Sequence, residues 1–465
     1  MAVPAILHDR IRRILQGRGG AAGERLVNIG HLLTGNVFGS FLGMLAFMLT
    51  ARALGPHDYG RLALTFSYIR AVQLLIAFQS WQPLIKYGAE LHGRSHEPDY
   101  RALMKFGLMV DIGAAMAAFL VAVCGAFLFG SILGISKDML TWVLIYATTL
   151  AFQINGMPTA VLRLAGRFRL TAYGPLAGTS FRVVLCLVGL LTGAGPLYFV
   201  VLWTITQIGG AVSILVLALF ELHRQGVRQL MSAPLAGVTR KFEGLLGFTI
   251  GSNLELSIRS STNEFDTLLV GFLAGPSPAG FYQITKRLAR MVLQLGAQVQ
   301  AVLYPDIARI WARGELKELH RAVLQTFVML AGFGVLVVGL TAIGIRPIII
   351  HTAGTSFAAA APLAVVQMIA AAIMLSGGVL RSALLAMGRQ PTVLRIVIVA
   401  TIIFQLVAVS AIPIVGAMGA NLAHMVMALI MVSCLWFVYR RMIQAGKPGD
   451  PDTQTQSTDA AMTPS

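Results

Sequence analysis

The chain has 465 residues, 56% hydrophobic and only 12% charged, with a mean hydropathy of +0.75. Soluble domains carry about 25% charged residues, so the composition excludes an ordinary globular protein and points to lipid as the solvent. A net charge of +17 could suit a nucleic acid, but the cations cluster between apolar spans, so no nucleic-acid partner is expected.

Residues 1–27 hold five arginines and no apolar core leading to a small-residue cleavage site, so no signal peptide is read there. Ile6, Leu7, Ile11, Ile14 and Leu15 share one side of a short helix with Arg10, Arg12 and Arg13 around the rest. That pattern fits either an interfacial anchor on anionic lipid or a plain basic tail. Twelve apolar stretches follow, each near the ~20 residues that cross a bilayer core as a helix. They fall at about 29–51, 62–85, 106–130, 140–162, 168–192, 196–220, 246–273, 281–305, 323–345, 358–385, 392–415 and 417–439. None shows the two-residue alternation of an outer-membrane strand. The expected fold is all-α, twelve transmembrane helices in two six-helix bundles. In order these are an N-terminal segment (1–27), a first bundle (28–220), a cytoplasmic linker (221–245), a second bundle (246–440) and a disordered cytoplasmic tail (441–465).

Between these spans, the odd-numbered segments hold 25 Lys and Arg and the even-numbered ones hold 4. The positive-inside rule then places both termini in the cytoplasm. Cys124, Cys186 and Cys434 lie inside apolar runs without close spacing, which suggests packing rather than a metal site or disulfides.

The chain repeats at about 220 residues. Gly55-Pro-His-Asp-Tyr-Gly60 matches Gly275-Pro-Ser-Pro-Ala-Gly280, and Arg101-Ala-Leu103 matches Arg321-Ala-Val323. Gly166-Arg167 pairs with Gly388-Arg389, and Gly193-Ala194 with Gly416-Ala417. Six crossings per repeat make the halves parallel, related by a pseudo-twofold axis along the membrane normal, with a cavity expected between them.

Seven cations and four acids fall inside the spans: Arg70, Arg182, Arg259, Lys286, Arg287, Arg290 and Arg381 against Asp111, Glu255, Glu264 and Asp266. An arginine at mid-span costs ~2.5–3.5 kcal/mol on insertion scales, so such residues are functional candidates. Arg70 and Arg290 each follow the repeated glycine turn by ten residues, roughly 15 Å at the helical rise. Arg182 has no acid on its own helix, and Asp111 stands alone in its span. Lys286, Arg287 and Arg290 need either acids or an anionic ligand, and in the preceding span Asp266 lies at the depth of Arg287 and Glu264 at that of Arg290. Glu255 and Arg259 are spaced to pair with each other. Arg381 is placed to snorkel to the inner interface. Asp266, Glu264 and Glu255 are also candidates for a proton or sodium site, because carboxylates away from water take up a proton or cation more readily. His31 and His424 read as ordinary helix–helix hydrogen-bonding residues. The excess of arginine suits a pyrophosphate, whose oxygens the guanidinium fork binds two at a time.

Catalytic signatures are missing: there is no phosphate-binding loop, no His-Glu-x-x-His and no Gly-x-Ser-x-Gly. The chain is expected to be a transporter, without a metal or organic cofactor.

Ala51-Arg-Ala-Leu-Gly-Pro-His-Asp-Tyr-Gly60 resembles the signature after the first helix of Wzx-type polysaccharide flippases, in the multidrug/oligosaccharidyl-lipid/polysaccharide exporter superfamily. Asp266-Thr-Leu-Leu-Val-Gly271, Ala279-Gly-Phe-Tyr282 and Tyr304-Pro305 are similar to that family's pattern around helices 7 and 8. Ala279 departs from it, standing where the first half has Tyr59. The resemblance spans about residues 28 to 440 and implies two six-helix bundles around a cationic cavity. It implies movement of a polyprenyl-pyrophosphate-linked glycan from the cytoplasmic to the periplasmic leaflet, for lipopolysaccharide or exopolysaccharide synthesis. Arg70 and Arg290 match positions of cavity arginines in related flippases. With Arg182, Arg287, Lys286 and Arg259 they form the candidate substrate-binding set. Membrane lipids, a polysaccharide polymerase and glycosyltransferases are the implied partners. The competing readings are a lipid II flippase, a drug/cation antiporter and a non-transporting scaffold of a glycan assembly complex.

Overall fold

A computed structural model describes residues 21–445 except 77–79, 92–97, 131–135, 228, 236–237, 243–244 and 246–264. The expected N-terminal anchor, the tail beyond Ala445, and Arg259, Glu255 and Glu264 therefore lie outside the described residues. Among those described the chain is all-helical: α1 (Ala21–Ile76), α2 (Trp81–Glu90), α3 (Pro98–Phe129), α4 (Lys137–Ala151), α5 (Gly156–Leu164), α6 (Phe168–Leu191), α7 (Pro196–Arg224), α8 (Val238–Lys241), α9 (Phe265–Ala274), α10 (Pro276–Arg313), α11 (Leu316–Ala353), α12 (Ala360–Ala386), α13 (Gln390–Val415) and α14 (Ala417–Ala445). Short 3₁₀ turns at Leu230–Ser232 and Thr355–Phe357 complete it.

Lipid as solvent is visible in the side chains. Ile343 is 85% exposed, Ile414 82% and Leu191 77%. An apolar surface this extensive is not compatible with water. Eight helices among the described residues are long and apolar enough to span a bilayer. One of these stretches, Thr34–Ile76, contains two expected spans, because α1 breaks at Gly55, with φ 71° and ψ 174°.

That break recurs at the repeat. Gly275, before α10, has φ 92° and ψ 179°, and a proline follows it as one follows Gly55. Glycine alone adopts this conformation readily, and proline fits the first helical turn, where its missing N–H would go unused. The other paired glycines agree: Gly166 and Gly388 have φ 69° and 75°, and Gly193 and Gly416 have φ 63° and 60°. Arg167 and Arg389, just after the second pair, have nearly the same φ and ψ, −81° and 46° against −89° and 34°.

The described residues form two compact units. One takes those of Met1–Leu49, Tyr68–Gly130 and Ser136–Ser261; the other takes those of Thr50–Ser67, Ser131–Ile135 and Thr262–Ser465. The first is built around Leu84, Leu103, Met104, Met157, Val161, Leu222 and Leu245, all nearly inaccessible. In the second, the alanine- and glycine-rich α12 lies at the centre, packed against α10, α11 and α14. The lower core joins Ile307, Leu319, Leu380, Leu384, Leu435 and Tyr439.

Thr50–Ser67 belongs to the second unit for visible reasons. The Tyr59 ring meets Phe357 edge-on at 5.6 Å, and Arg52 donates to the His351 carbonyl. Gly60 lies against the Pro276 carbonyl and Gly280 against that of Pro56, so the two repeated turns cross with each glycine on the other's proline.

Two expected spans are not single helices. The stretch 140–162 divides into α4 and α5, separated by Phe152–Asn155. Pro158, third in α5, has no N–H to continue a ladder back into α4. The stretch 62–85 likewise ends its first helix at Ile76, and α2 starts afresh at Trp81 with Pro83 in its first turn.

Candidate functional site

In the first unit the candidate cation is Arg182 on α6. Its Nε donates to Thr206 Oγ1 at 2.7 Å and a terminal NH₂ to Gln207 Oε1 at 3.3 Å. The guanidinium lies over the Trp203 ring, 4.5 Å from its centroid. Trp203, Thr206 and Gln207 share one face of α7 at i, i+3 and i+4 spacing, and Phe47 packs on Trp203 at 4.1 Å. All these partners are neutral. Among the described residues Arg182 has no carboxylate partner, and the groups that orient it are neutral. Arg70, also in this unit, is exposed and donates to Gln73 at 2.6 Å.

The acid expected to stand alone, Asp111 on α3, is a buried hub. Its Oδ1 accepts from Ser80 Oγ at 2.7 Å and its Oδ2 from the Met157 N–H at 2.7 Å. It thereby caps the start of α5, where backbone N–H groups lack intrahelical partners, and ties α2, α3 and α5 together. A side chain at Gly156 would strike both Ser80 and Asp111.

The second unit holds the other candidates. Lys286 Nζ reaches Asp266 Oδ1 at 2.6 Å, with the two side chains 9% and 1% exposed. Oδ1 also accepts from the Thr267 N–H at 2.6 Å, and Oδ2 accepts from the Tyr282 hydroxyl at 2.7 Å. His424 Nε2 lies 3.2 Å from Oδ2 and 2.8 Å from the Tyr282 oxygen. Thr267 Oγ1 approaches Gln283 Oε1 at 3.3 Å. Lys286, one of the candidate substrate cations, is thus engaged by Asp266. Arg287 and Arg290 are half-buried on the same helix. Near Arg287 lies Tyr59, whose buried hydroxyl has no hydrogen-bond partner among the described residues.

Reading the sequence missed Trp203, Thr206, Gln207, Tyr282 and the partners of His424. A signal existed for some: Trp203-Thr-Ile-Thr-Gln207 is a polar run inside an apolar span, and Tyr282 sits in the motif Ala279-Gly-Phe-Tyr282. Nothing local joins His424 to Asp266, 158 residues earlier. Among the described residues, no three His, Cys, Asp or Glu side chains are placed to hold a metal ion.

Comparison with known proteins agrees with an all-helical membrane protein. The chain is 24% identical to the inner membrane protein YghQ of Escherichia coli (strain K12) over 330 residues, 71% of this chain and 92% of that protein. Its fold resembles an inward-facing multidrug resistance transporter of the MATE family, MOP superfamily, with TM-score 0.67 and 14% identity, covering 87% and 95% of the two chains. It also resembles the lipid II flippase MurJ in an inward closed conformation, with TM-score 0.63 and 14% identity, covering 88% and 87%. The all-helical architecture is therefore the fold of these solved membrane proteins. Residues 26–311 match the model of the polysaccharide biosynthesis protein family, and the chain belongs to that family.

Proposed function

We propose that the protein is an alternating-access flippase that moves a polyprenyl-pyrophosphate-linked oligosaccharide from the cytoplasmic to the periplasmic leaflet of a bacterial inner membrane. Surface polysaccharide synthesis, with a polymerase and glycosyltransferases as neighbours, is the setting the family supports. The observation that carries the reading is Arg182: a membrane-embedded guanidinium, held by a tryptophan face and two neutral oxygens, with no carboxylate partner among the described residues. A guanidinium oriented by neutral groups at low dielectric favours an anionic ligand. The planar fork suits phosphate oxygens. A carrier of organic cations would want the opposite sign.

Arg70 of the first unit and Arg287 and Arg290 of the second are the further candidates for phosphate contacts. Arg259 is kept as a further cation and Lys286 as an indirect contributor, through its hold on Asp266. The glycan occupies water and the prenyl chain remains in lipid, so the protein shields only the head group. Both termini are cytoplasmic. An ion gradient, proton or sodium, drives the cycle through the second unit, where Asp266 lies; Glu264 and Glu255 precede it in the chain.

The test is complementation of a flippase-null strain with Arg182, Arg70 and Arg290 replaced by Ala or Lys, at matched membrane abundance. Charge-assisted contacts are worth ~1.5–3 kcal/mol, so each alanine should weaken function about ten- to a hundredfold. Lysine should restore part of it. Wild-type surface glycan from well-expressed Arg182→Ala and from an Arg70→Ala, Arg290→Ala double variant would refute the anchor.

A further inference from the structure

The polar cluster of the second unit joins three helices: Asp266 and Thr267 from α9, Tyr282, Gln283 and Lys286 from α10, and His424 from α14. From α13, the Phe404 ring packs on His424 at 4.5 Å. The Tyr282 ring lies nearly parallel to the imidazole, 6.3 Å away. Asp266 is fully occupied. Its Oδ1 takes Lys286 and the Thr267 N–H, and its Oδ2 takes Tyr282 and His424. A carboxylate has about four lone-pair sites, and here each has a donor. Lys286 also supplies the balancing charge, from the position at Oδ1 that a sodium ion would need.

His424 differs from the rest of the cluster in two ways. Its side chain is 16% exposed, against 9% for Lys286 and 1% for Asp266, so it forms the open edge of the network. Its protonation pattern follows from its neighbours. The Tyr282 hydroxyl donates to Asp266 Oδ2, so its lone pairs accept from His424 Nε2–H. That assigns the neutral ring its Nε2–H tautomer and leaves the Nδ1 lone pair, which has no hydrogen-bond partner among the described residues, as the place for a second proton.

We infer that His424 is the proton-binding site of this unit, and that its protonation tightens α14 against α9 and α10. The added charge turns the Nε2–H contact with the Asp266 carboxylate into an ion pair, with charge on the donor as well as on the acceptor, shorter and stronger than the contact of the neutral ring. The Lys286–Asp266 pair is the fixed counterpart that His424 reads, so the ion is a proton rather than sodium. This deepens the proposed coupling and rests on that reading only for its link to transport.

The test needs no substrate. Hydrogen–deuterium exchange on the full chain in lipid nanodiscs, corrected for the intrinsic pH dependence of exchange, is followed in peptides covering α9 and α14 at about pH 7.5 and 5.5. In the wild type the protection of α14 should rise about tenfold at the lower pH, as an ion pair replaces the contact of a neutral ring with the carboxylate. His424→Gln, which keeps a donor for Tyr282, should have equal protection at both; His424→Asn provides a second variant should the first be poorly folded. Exchanging sodium for potassium should change nothing in the wild type. The inference is overturned by a wild type without the pH-dependent change, by a variant that retains it in full, or by protection that follows sodium. None of these results bears on the arginine anchor, and failure of the arginine complementation leaves this result standing.

Discussion

Replacing Gly60 by alanine tests how the family signature works. Gly60 is helical, and a methyl group there would lie far inside van der Waals contact of the Pro276 carbonyl oxygen, with the carbonyl carbon also too close. The obstacle is backbone in the first turn of α10, so it cannot rotate away as a side chain could. Overpacking of this kind costs about 1–3 kcal/mol. Alanine is favoured over glycine in a helix by about 0.5–1 kcal/mol, which leaves a net loss of up to roughly 2.5 kcal/mol. The reciprocal Gly280→Ala should cost less, because its methyl would sit 2.8 Å from the Pro56 carbonyl and 3.2 Å from Gly60 itself. Gly43, where an added methyl would meet nothing within 4 Å, supplies the control: only the helix preference remains, and Gly43→Ala should be neutral or stabilising. The assay is the fraction of detergent-solubilised protein that stays monomodal on gel filtration after heating. The expected order of stability is Gly43→Ala, then Gly280→Ala, then Gly60→Ala. A Gly60→Ala protein as heat-resistant as the Gly43→Ala control would show that the crossed turns do not need glycine, and the reasoning would fail.

Asp111→Leu should leave the Ser80 hydroxyl and the Met157 N–H buried without an acceptor, at about 1–3 kcal/mol each. Asp111→Asn, which keeps an acceptor oxygen, should be milder, and heat inactivation of the pair measures the difference. Lys286→Met and Asp266→Asn should each destabilise by about 3–5 kcal/mol, because each leaves a buried charge unbalanced. The double variant should regain much of that loss, and a double loss equal to the sum of the singles would contradict the pairing. For topology, single cysteines in a cysteine-free background should be protected from an impermeant reagent in intact cells at Ser95 and Thr453 and labelled at Ser277. Labelling at Thr453 from outside would overturn the cytoplasmic placement of the C-terminus.

The sequence by itself determined the solvent, the secondary structure and the repeat. Lipid demands long apolar stretches with satisfied backbones, so composition and run length identify helices directly. Gly55 and Gly275 announce their shared break because only glycine followed by proline suits that conformation. The breaks at Phe152–Asn155 and after Ile76 were less visible: apolar residues continue through them, and hydropathy does not register a missing backbone N–H. The intramembrane charges could be enumerated from sequence, but their partners could not. Asp266 was matched in depth with Arg287, whereas the structure gives it to Lys286, one residue earlier on a helix where each residue turns the side chain by about 100°. Asp111 looked isolated because its partners are a hydroxyl and a backbone N–H, which carry no charge to notice. His424 looked like an ordinary polar residue because the carboxylate and phenol that give it a role come from two other helices. Apolar periodicity is written along one helix, but the choice of hydrogen-bond partner depends on the rotation and depth of several helices at once, and only tertiary packing sets those.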